Sequence, residues 1–265
     1  MDRSFERERM QAAHLIPLLR AAGPAGLPGI WHADDPALAA PAAECTPSGF
    51  AALDAELPGG GWPHGQLVEL LYDDPGIGEL SLLAPALAAQ ARAGRACVWI
   101  LPSEGGPAGG PLRQALPYPP ALVEAGIDLS CSIFVRPAAA REAWWAAEQS
   151  LRAAHLGALI GWLPTSSVPA DFRALRQQVQ RHRALVFAIR PSRCAGAPSP
   201  AVLRLQLGCD DGQLTVKILK RRGRPLIEPV VLQVVPRPWR AAALRPPADG
   251  SLACPVPACA AAAAG

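Results

Sequence analysis

Residues 65–94 read GQLVELLYDDPGIGELSLLAPALAAQARAG, and this stretch decides the fold. The apolar run at 65–72 is typical of a buried strand and the run at 82–94 of a helix, and a glycine-containing turn joins them. A strand, a glycine turn and a helix in this order are the setting of a phosphate-binding loop, whose sequence is G-x-x-x-x-G-K-[ST]. Whether residues 73–80 bind a nucleotide is therefore the first question.

The side chains of this loop oppose a nucleotide. When the pattern is aligned on Gly78, its first glycine becomes Asp73, its lysine becomes Glu79 and its hydroxyl residue becomes Leu80. A working loop needs that lysine to neutralise the phosphates and that hydroxyl to hold Mg²⁺. Two like charges 4 Å apart repel by roughly 4 kcal/mol at an effective dielectric constant near 20, and Asp74 adds a third carboxylate. We predict a structural turn that binds neither ATP nor ADP.

Pro85 bears on where the following helix begins. A helix that begins at Gly78 contains Pro85 and loses a backbone hydrogen bond there. A helix capped by Ser81 places the proline just past the first turn. We therefore expect the helix to begin later than a phosphate-binding helix does.

The rest of the chain continues the alternation of strands and helices. Predicted strands lie at 66–72, 96–101, 132–136, 157–163 and 184–190, and predicted helices at 80–93, 119–125, 138–155 and 170–182. The strands are near-continuous apolar runs, which are typical of strands buried on both faces. This alternation predicts an α/β fold with a mostly parallel sheet flanked by helices.

The pattern changes after residue 200. Residues 200–208 and 212–221 alternate apolar and polar residues, and Gly208–Gly212 is the predicted turn between them. Such alternation predicts an antiparallel C-terminal hairpin, which residues 229–235 join as a further strand.

Composition divides the chain into three parts. Residues 1–45 hold a predicted helix and a linker rich in Pro and Gly, 46–235 hold the core, and 236–265 form a flexible tail rich in Pro, Ala and Arg. The N-terminus resembles neither a secretion signal nor a membrane anchor, and no apolar run approaches the ~20 residues of a membrane helix. The seven cysteines form no C-x-x-C pair, which favours reduced thiols. We predict a cytoplasmic protein without a membrane segment, metal or cofactor.

Positive charge is concentrated towards the C-terminal end. Residues 217–245 contain eight basic residues and one acidic residue, Glu228. Phosphate groups of DNA are one possible partner for a basic run of this kind, and a solvated strand edge protected from aggregation is an equally good interpretation. The candidate DNA contacts are Lys217, Lys220, Arg221, Arg222 and Arg224.

Tryptophan positions give two further predictions. Trp239 lies between Arg237 and Arg240 in the tail, a composition typical of an anchor for a protein partner, although a merely exposed tryptophan is the alternative. Trp144 and Trp145 are adjacent, so we expect one to face the core and the other to lie nearer the surface.

Several segments resemble the core of the RecA recombinase. They are SGFAALDAELPGGGWPHGQLVEL at 48–70, GRACVWILPSEG at 94–105 and LTVKILKRRGRP at 214–225. The first is similar to the segment that leads into the RecA phosphate loop, and the others to its next strand and its closing antiparallel strand. Over roughly residues 46–225, the resemblance implies a RecA-like core.

The sequence is more similar still to the ImuA family, RecA-like accessory proteins of damage-induced mutagenesis that are related to the division inhibitor SulA. The segments that carry this resemblance are GIWHADD, GFAALDAELPGGGWPHG, PGIGELSLLAPALA and AGIDLSCSIFVRP. Membership would imply an SOS setting and a role in translesion synthesis. The implied partners are the polymerase-like protein ImuB and RecA, with non-specific DNA contact as a further expectation.

The resemblance also implies what the chain lacks. Glu104 falls where RecA has its catalytic glutamate, but that role requires a bound nucleotide. The acidic residue expected at the end of strand 157–163 is absent, because Trp162 and Leu163 stand there. The five histidines are isolated, and no Ser or Cys lies in a nucleophile-elbow pattern. We therefore expect a non-catalytic protein, not an enzyme.

Three functions follow as hypotheses. The first is an inert RecA-like adaptor in a translesion complex. The second is a SulA-like inhibitor that binds FtsZ, and the third is a RecA-like DNA-dependent ATPase with an altered loop. Asp73, Glu79 and Leu80 favour the adaptor over the ATPase, and the extension at 1–45 with the basic hairpin and tail at 212–250 favours it over the inhibitor.

Overall fold

An eight-stranded β-sheet forms the centre of the molecule. The computed structural model describes residues 44–103, 116–164, 169–223, 226 and 228–234. The strands are β1 (Cys45–Thr46), β2 (Trp62–Pro63), β3 (Leu67–Leu71), β4 (Ala96–Ile100), β5 (Ser132–Val135), β6 (Leu156–Trp162), β7 (Leu185–Arg190), β8 (Leu203–Asp210), β9 (Gln213–Lys220) and β10 (Val230–Leu232). β1 and β2 form a small antiparallel pair, and the large sheet has the order β10-β9-β8-β3-β7-β6-β4-β5.

The sheet is mostly parallel, as the alternation of strands and helices predicts. The strands from β8 to β5 are parallel to their neighbours, whereas β9 and β10 add in antiparallel fashion beyond β8. β3 lies within the sheet, and all five of its residues are buried. The predicted α/β class and the antiparallel C-terminal hairpin are confirmed.

Five helices flank the sheet in the described part of the chain. They are α1 (Ala51–Asp54), α2 (Glu79–Arg92), α3 (Pro119–Glu124), α4 (Ala140–Leu151) and α5 (Pro169–Val179). Residues of α1, α2 and α3 pack on one face against Val68 and Leu70 of β3, and residues of α4 and α5 pack on the other face with Leu67. Helices on both faces explain why the central strands are apolar along their whole length.

The adjacent tryptophans of α4 divide as expected. Trp144 is 8% exposed and its ring meets the edge of Phe172 at a centroid distance of 4.9 Å, whereas Trp145 is 62% exposed. Neighbouring positions on a helix point in different directions, so only one of the two reaches the core.

The turn of the C-terminal hairpin is shorter than predicted. β8 continues to Asp210 and β9 begins at Gln213, so the predicted turn at Gly208–Gly212 is wrong by three residues at its start. Asp211 and Gly212 both have left-handed backbone angles, with φ of 47° and 75°. Asp-Gly is a preferred pair for a two-residue hairpin turn, in which both central residues have positive φ.

A buried ionic triad links the middle strands of the sheet. Glu69 in β3 is fully buried, and its two carboxylate oxygens accept from Arg190 Nη1 of β7 at 2.9 Å and Arg204 Nε of β8 at 2.5 Å. Arg204 also donates to the carbonyl oxygens of Cys194 and Ala195. The carboxylate therefore holds together three adjacent strands and the turn that follows β7.

Removing Glu69 should destabilise the fold far more than removing an exposed carboxylate. Glu69→Ala leaves two buried guanidinium groups without their partner, so we expect a loss of about 3–5 kcal/mol in the free energy of unfolding. Glu44→Ala is the control, because the ion pair of Glu44 with Arg183 at 2.8 Å is largely exposed and should contribute at most about 1 kcal/mol. Urea unfolding monitored by circular dichroism measures both, and losses of equal size would contradict this account of the triad.

Candidate functional site

The turn after β3 leads directly into a helix, in the order of elements that surrounds a phosphate-binding loop. α2 begins at Glu79, with Gly78 as its N-cap residue at a φ of 105°. The expectation that the helix begins later, with Ser81 as its cap, is wrong. Pro85 lies inside the helix, and the carbonyl that loses its helical partner belongs to Ser81, an exposed residue whose backbone water can reach. The proline is therefore tolerated without moving the start of the helix.

Gly49 makes room for the proline ring on the outer side of α2. A Cβ atom at Gly49 would lie 2.8 Å from both Cβ and Cγ of Pro85, and the glycine has a φ of 89°. Both the close approach and the positive φ require glycine at this position. The GF pair that precedes α1 thus packs the N-terminal part of the core onto α2.

The loop is filled by its own carboxylate. The backbone N–H of Gly76 donates to Oε1 and Oε2 of Glu79 at 3.0 and 3.1 Å, and the N–H of Gly78 donates to Oε2 at 3.2 Å. Glu79 is buried. Backbone N–H groups at the start of a helix bind an anion, and here the anion is the side chain that stands in the lysine position. Glu79 therefore competes for the N–H groups that would cradle a phosphate.

A buried and neutral tyrosine lies close to Glu79. Tyr72 at the end of β3 is buried, and its pKa is raised well above the usual range by burial and then by the charge of Glu79, so the phenol stays neutral. Trp162 at the end of β6 is buried as well. Asp73 accepts from the backbone N–H of Ser192 at 3.0 Å, and Asp74 is exposed. None of these four residues, Tyr72, Asp73, Asp74 and Trp162, offers a cation to a phosphate.

Other forms of site chemistry also find no support in the described residues. Glu104, which the RecA resemblance places at a catalytic position, lies outside them. Within the described ranges, no group of three or more His, Cys, Asp or Glu side chains could hold a metal ion. No helix in the same ranges has the length and apolar character needed to cross a membrane.

The predicted basic residues of the hairpin have different surroundings. Lys217, Lys220 and Arg222 are exposed, and Lys220 donates to the Ser199 carbonyl oxygen at 3.1 Å. The pKa of Lys220 is lowered, first by partial burial and then by the positive charges of Arg204 and Arg176. These three side chains are therefore exposed along β9 and just beyond it.

Arg221 is committed to the fold. Its Nη1 lies 2.8 Å from Oε2 of Glu56 and also donates to the Glu56 carbonyl oxygen, and its side chain is almost fully buried. This contact ties the hairpin to the segment after α1, so Arg221 differs from the exposed cations with which the sequence groups it. Arg224 lies outside the described residues, as do Arg237, Trp239 and Arg240 of the predicted anchor.

The edge strand β5 exposes large apolar side chains, which the sequence analysis does not predict. Ile133 is 53% exposed and Phe134 is 39% exposed, although Phe134 also stacks on Trp99 at a centroid distance of 5.8 Å. The expectation that every strand is buried on both faces is wrong here, because β5 is the last strand of the sheet. In the part of the chain that the structure describes, no strand pairs with its outer side. A continuous apolar run cannot by itself distinguish an edge strand from a central one.

No model of a known protein family matches the chain, and no curated protein matches it.

Removing the Glu79 carboxylate should destabilise the loop. Glu79→Ala leaves the N–H groups of Gly76 and Gly78 without their acceptor, so we expect a loss of about 1–2 kcal/mol in the free energy of unfolding, whereas Asp74→Ala should change it by less than about 0.5 kcal/mol. Sulfate should raise the thermal midpoint of Glu79→Ala more than that of the wild type, because it fits the emptied cradle. Two outcomes together would contradict the hydrogen bonds described above: equal losses of stability in Glu79→Ala and Asp74→Ala, and equal responses of Glu79→Ala and the wild type to sulfate.

The wild-type protein should bind neither ATP nor ADP. Glu79 occupies the N–H groups of the loop, and its charge adds to those of Asp73 and Asp74. Isothermal titration calorimetry with Mg²⁺ present measures this, and micromolar Mg²⁺-dependent binding would overturn it. The double change Glu79→Lys with Leu80→Thr should not create an ATPase, because the end of β6 still carries Trp162.

Proposed function

We propose that this protein is a non-catalytic RecA-like accessory protein of SOS-induced translesion DNA synthesis, which acts in the cytoplasm by binding a polymerase-like partner. The observation that carries the proposal is the loop after β3, whose N–H groups are bound to Glu79. Under this proposal the loop corresponds to the phosphate loop of a RecA-like core, with a glutamate in the place of the essential lysine. The resemblance to the ImuA family supplies the biological setting and the ImuB-type partner.

An accessory role requires a surface that another protein can recognise. β5 offers an unpaired backbone edge among the described residues, together with the exposed side chains of Ile133 and Phe134. Exposed apolar edges are usually blunted by charges, prolines or bulges, because they pair with other chains. The segment SIFV at 132–135 contains neither a charged residue nor a proline. This supports binding by strand addition, in which backbone hydrogen bonds give affinity and side-chain pockets give specificity.

The tail offers a second element for the same partner. Trp239 with Arg237 and Arg240 has the composition of a short anchor, and a single buried aromatic side chain can carry a large share of a small interface. In the proposed complex the β5 edge aligns the core with the partner, and the tail anchor strengthens the attachment.

Ile133→Lys should weaken co-purification with the polymerase-like partner encoded in the same organism by about tenfold or more, because it places a charge in β5, at the edge where the partner's strand would add. The control is Val231→Lys, since Val231 on the opposite edge strand β10 is 51% exposed and so nearly matches Ile133. Both variants should keep the wild-type thermal midpoint within a few degrees. Equal retention of the partner by the two variants would remove β5 from the interface.

Truncation after Val235 and Trp239→Ala test the tail in the same assay. Each should weaken the complex without changing the thermal midpoint, and full retention of the partner by both would rule the tail out.

The biological role is tested by deleting the gene and measuring the frequency of damage-induced mutation. This frequency should fall in the deletion strain, and it should be restored by the wild-type gene but not by the gene with Ile133→Lys. If deletion instead removes only the division arrest that follows DNA damage, the protein is an inhibitor of division and the proposal fails.

A further inference from the structure

Three neighbouring turns carry basic side chains at the N-terminal edge of the parallel sheet. The turn before β4 carries Arg95, the turn before β6 carries His155, and the turn before β7 carries Arg181, His182 and Arg183. β7, β6 and β4 are adjacent in the sheet, and neighbouring strands lie about 4.8 Å apart. Residues from three distant parts of the chain therefore form one row along this edge.

The row borders a groove made of two adjoining cavities. One has a volume of about 420 Å³ and the other of about 360 Å³, and both are lined by Glu44, His182 and Arg183. His64 and Gln180 also line the first cavity, and Arg95, His155 and Arg181 the second. We call these two cavities together the basic groove.

The floor of the basic groove is held in place by backbone contacts. The buried His64 donates from Nδ1 to the carbonyl oxygen of Arg183 at 2.5 Å, and its Nε2 lies 2.7 Å from Thr46 Oγ1. Gly65 donates to the Ala184 carbonyl oxygen at 3.0 Å, and a Cβ at Gly65 would lie 2.6 Å from the carbonyl oxygen of His182. The basic side chains at 181–183 therefore project from a fixed backbone.

The charge balance of the basic groove is positive. Three arginines line it, and Glu44 is its only carboxylate among the described lining residues. Glu44 lies 2.8 Å from Arg183, but both side chains are largely exposed, so their pairing contributes at most about 1 kcal/mol. A stronger anion can therefore replace Glu44 as the partner of Arg183.

We propose that the basic groove binds the phosphate backbone of a nucleic acid strand without sequence preference. Its three guanidinium groups are exposed and lie in two turns, before β4 and before β7, with His155 in the turn between them. This spacing suits successive phosphates, whereas a site for one small anion has converging buried donors. Protein interfaces depend on large aromatic or apolar anchors, and the described lining contains no Phe, Tyr or Trp. Without Phe, Tyr or Trp the lining is a poor platform for base stacking, so contacts with the phosphate backbone should carry most of the affinity. This proposal does not depend on the polymerase-like partner.

The test compares two sets of three charge removals in the full-length protein. The groove variant combines Arg95→Ala, Arg181→Ala and Arg183→Ala and so removes three positive charges from the basic groove. The hairpin variant combines Lys217→Ala, Lys220→Ala and Arg222→Ala and removes the same number of positive charges from the hairpin. Fluorescence anisotropy with labelled single-stranded and duplex DNA of random sequence, at several salt concentrations, measures the affinity of each. The groove variant should lose about tenfold or more in affinity, and its slope of log affinity against log salt should fall by about 2–3, because each phosphate contact contributes roughly 0.7–0.9. The hairpin variant should change both values less.

Glu44→Gln gives a test that does not depend on losing function. It removes the carboxylate that competes with phosphate for Arg183, so DNA affinity should rise about two- to fivefold at low salt. An absence of DNA binding by the wild type at low salt, or a loss confined to the hairpin variant, would overturn the proposal. So would displacement of the DNA by poly-glutamate as efficient as that by unlabelled DNA, which would identify an acidic protein segment as the ligand. Equally efficient displacement by inorganic phosphate at the same phosphate concentration would reduce the groove to a simple anion site and overturn it too.

Discussion

The fold depends on one buried carboxylate, that of Glu69. It is fully buried in β3, and the guanidinium groups of Arg190 and Arg204 bind its two oxygens from the strands on either side. A carboxylate in this place would be very costly if either partner were removed, so the triad specifies which strands flank β3 and in what register. Arg190 also lies over the ring of Phe172, 4.7 Å from its centroid, which extends the same constraint to α5. This arrangement also fixes where the next loop begins, because β3 ends at Leu71, two residues after Glu69.

The loop after β3 satisfies its own backbone N–H groups. A turn that ends at the N-terminus of a helix presents N–H groups and the positive end of the helix dipole, whatever its side chains are. Without a bound anion those groups need another acceptor. Glu79 supplies one from within, and Asp73 ties the other end of the loop to Ser192. The loop is satisfied internally and needs no ligand for its stability.

How far the sequence predicts this structure depends on how local each feature is. Apolar runs and turn residues predict the parallel strands and the hairpin, because strand burial and turn conformation are set within a few residues. The triad was missed, since Glu69 is separated from Arg190 by 121 residues and from Arg204 by 135, and its members resemble any other charged residues. The sequence misplaces the start of α2, because Pro85 favours a later start, whereas the exposure of Ser81, which only the tertiary structure determines, lets the helix begin at Glu79. The status of β5 as an edge strand, and the meeting of three turns at the basic groove, depend on strand order, which periodicity does not contain.

The distribution of charge across the sheet has a consequence for where this protein can act. In open α/β sheets, ligands usually bind beyond the carboxyl ends of the parallel strands, where the loop after β3 lies. Here that end carries Asp73, Asp74 and Glu79, and the N–H groups of the loop are bound to Glu79. The opposite end carries the arginines of the basic groove, and one lateral edge carries the exposed apolar side chains of β5. Recognition is therefore expected at the periphery of the sheet, in places where a binding partner can be held without any rearrangement of the buried centre that Glu69 fixes.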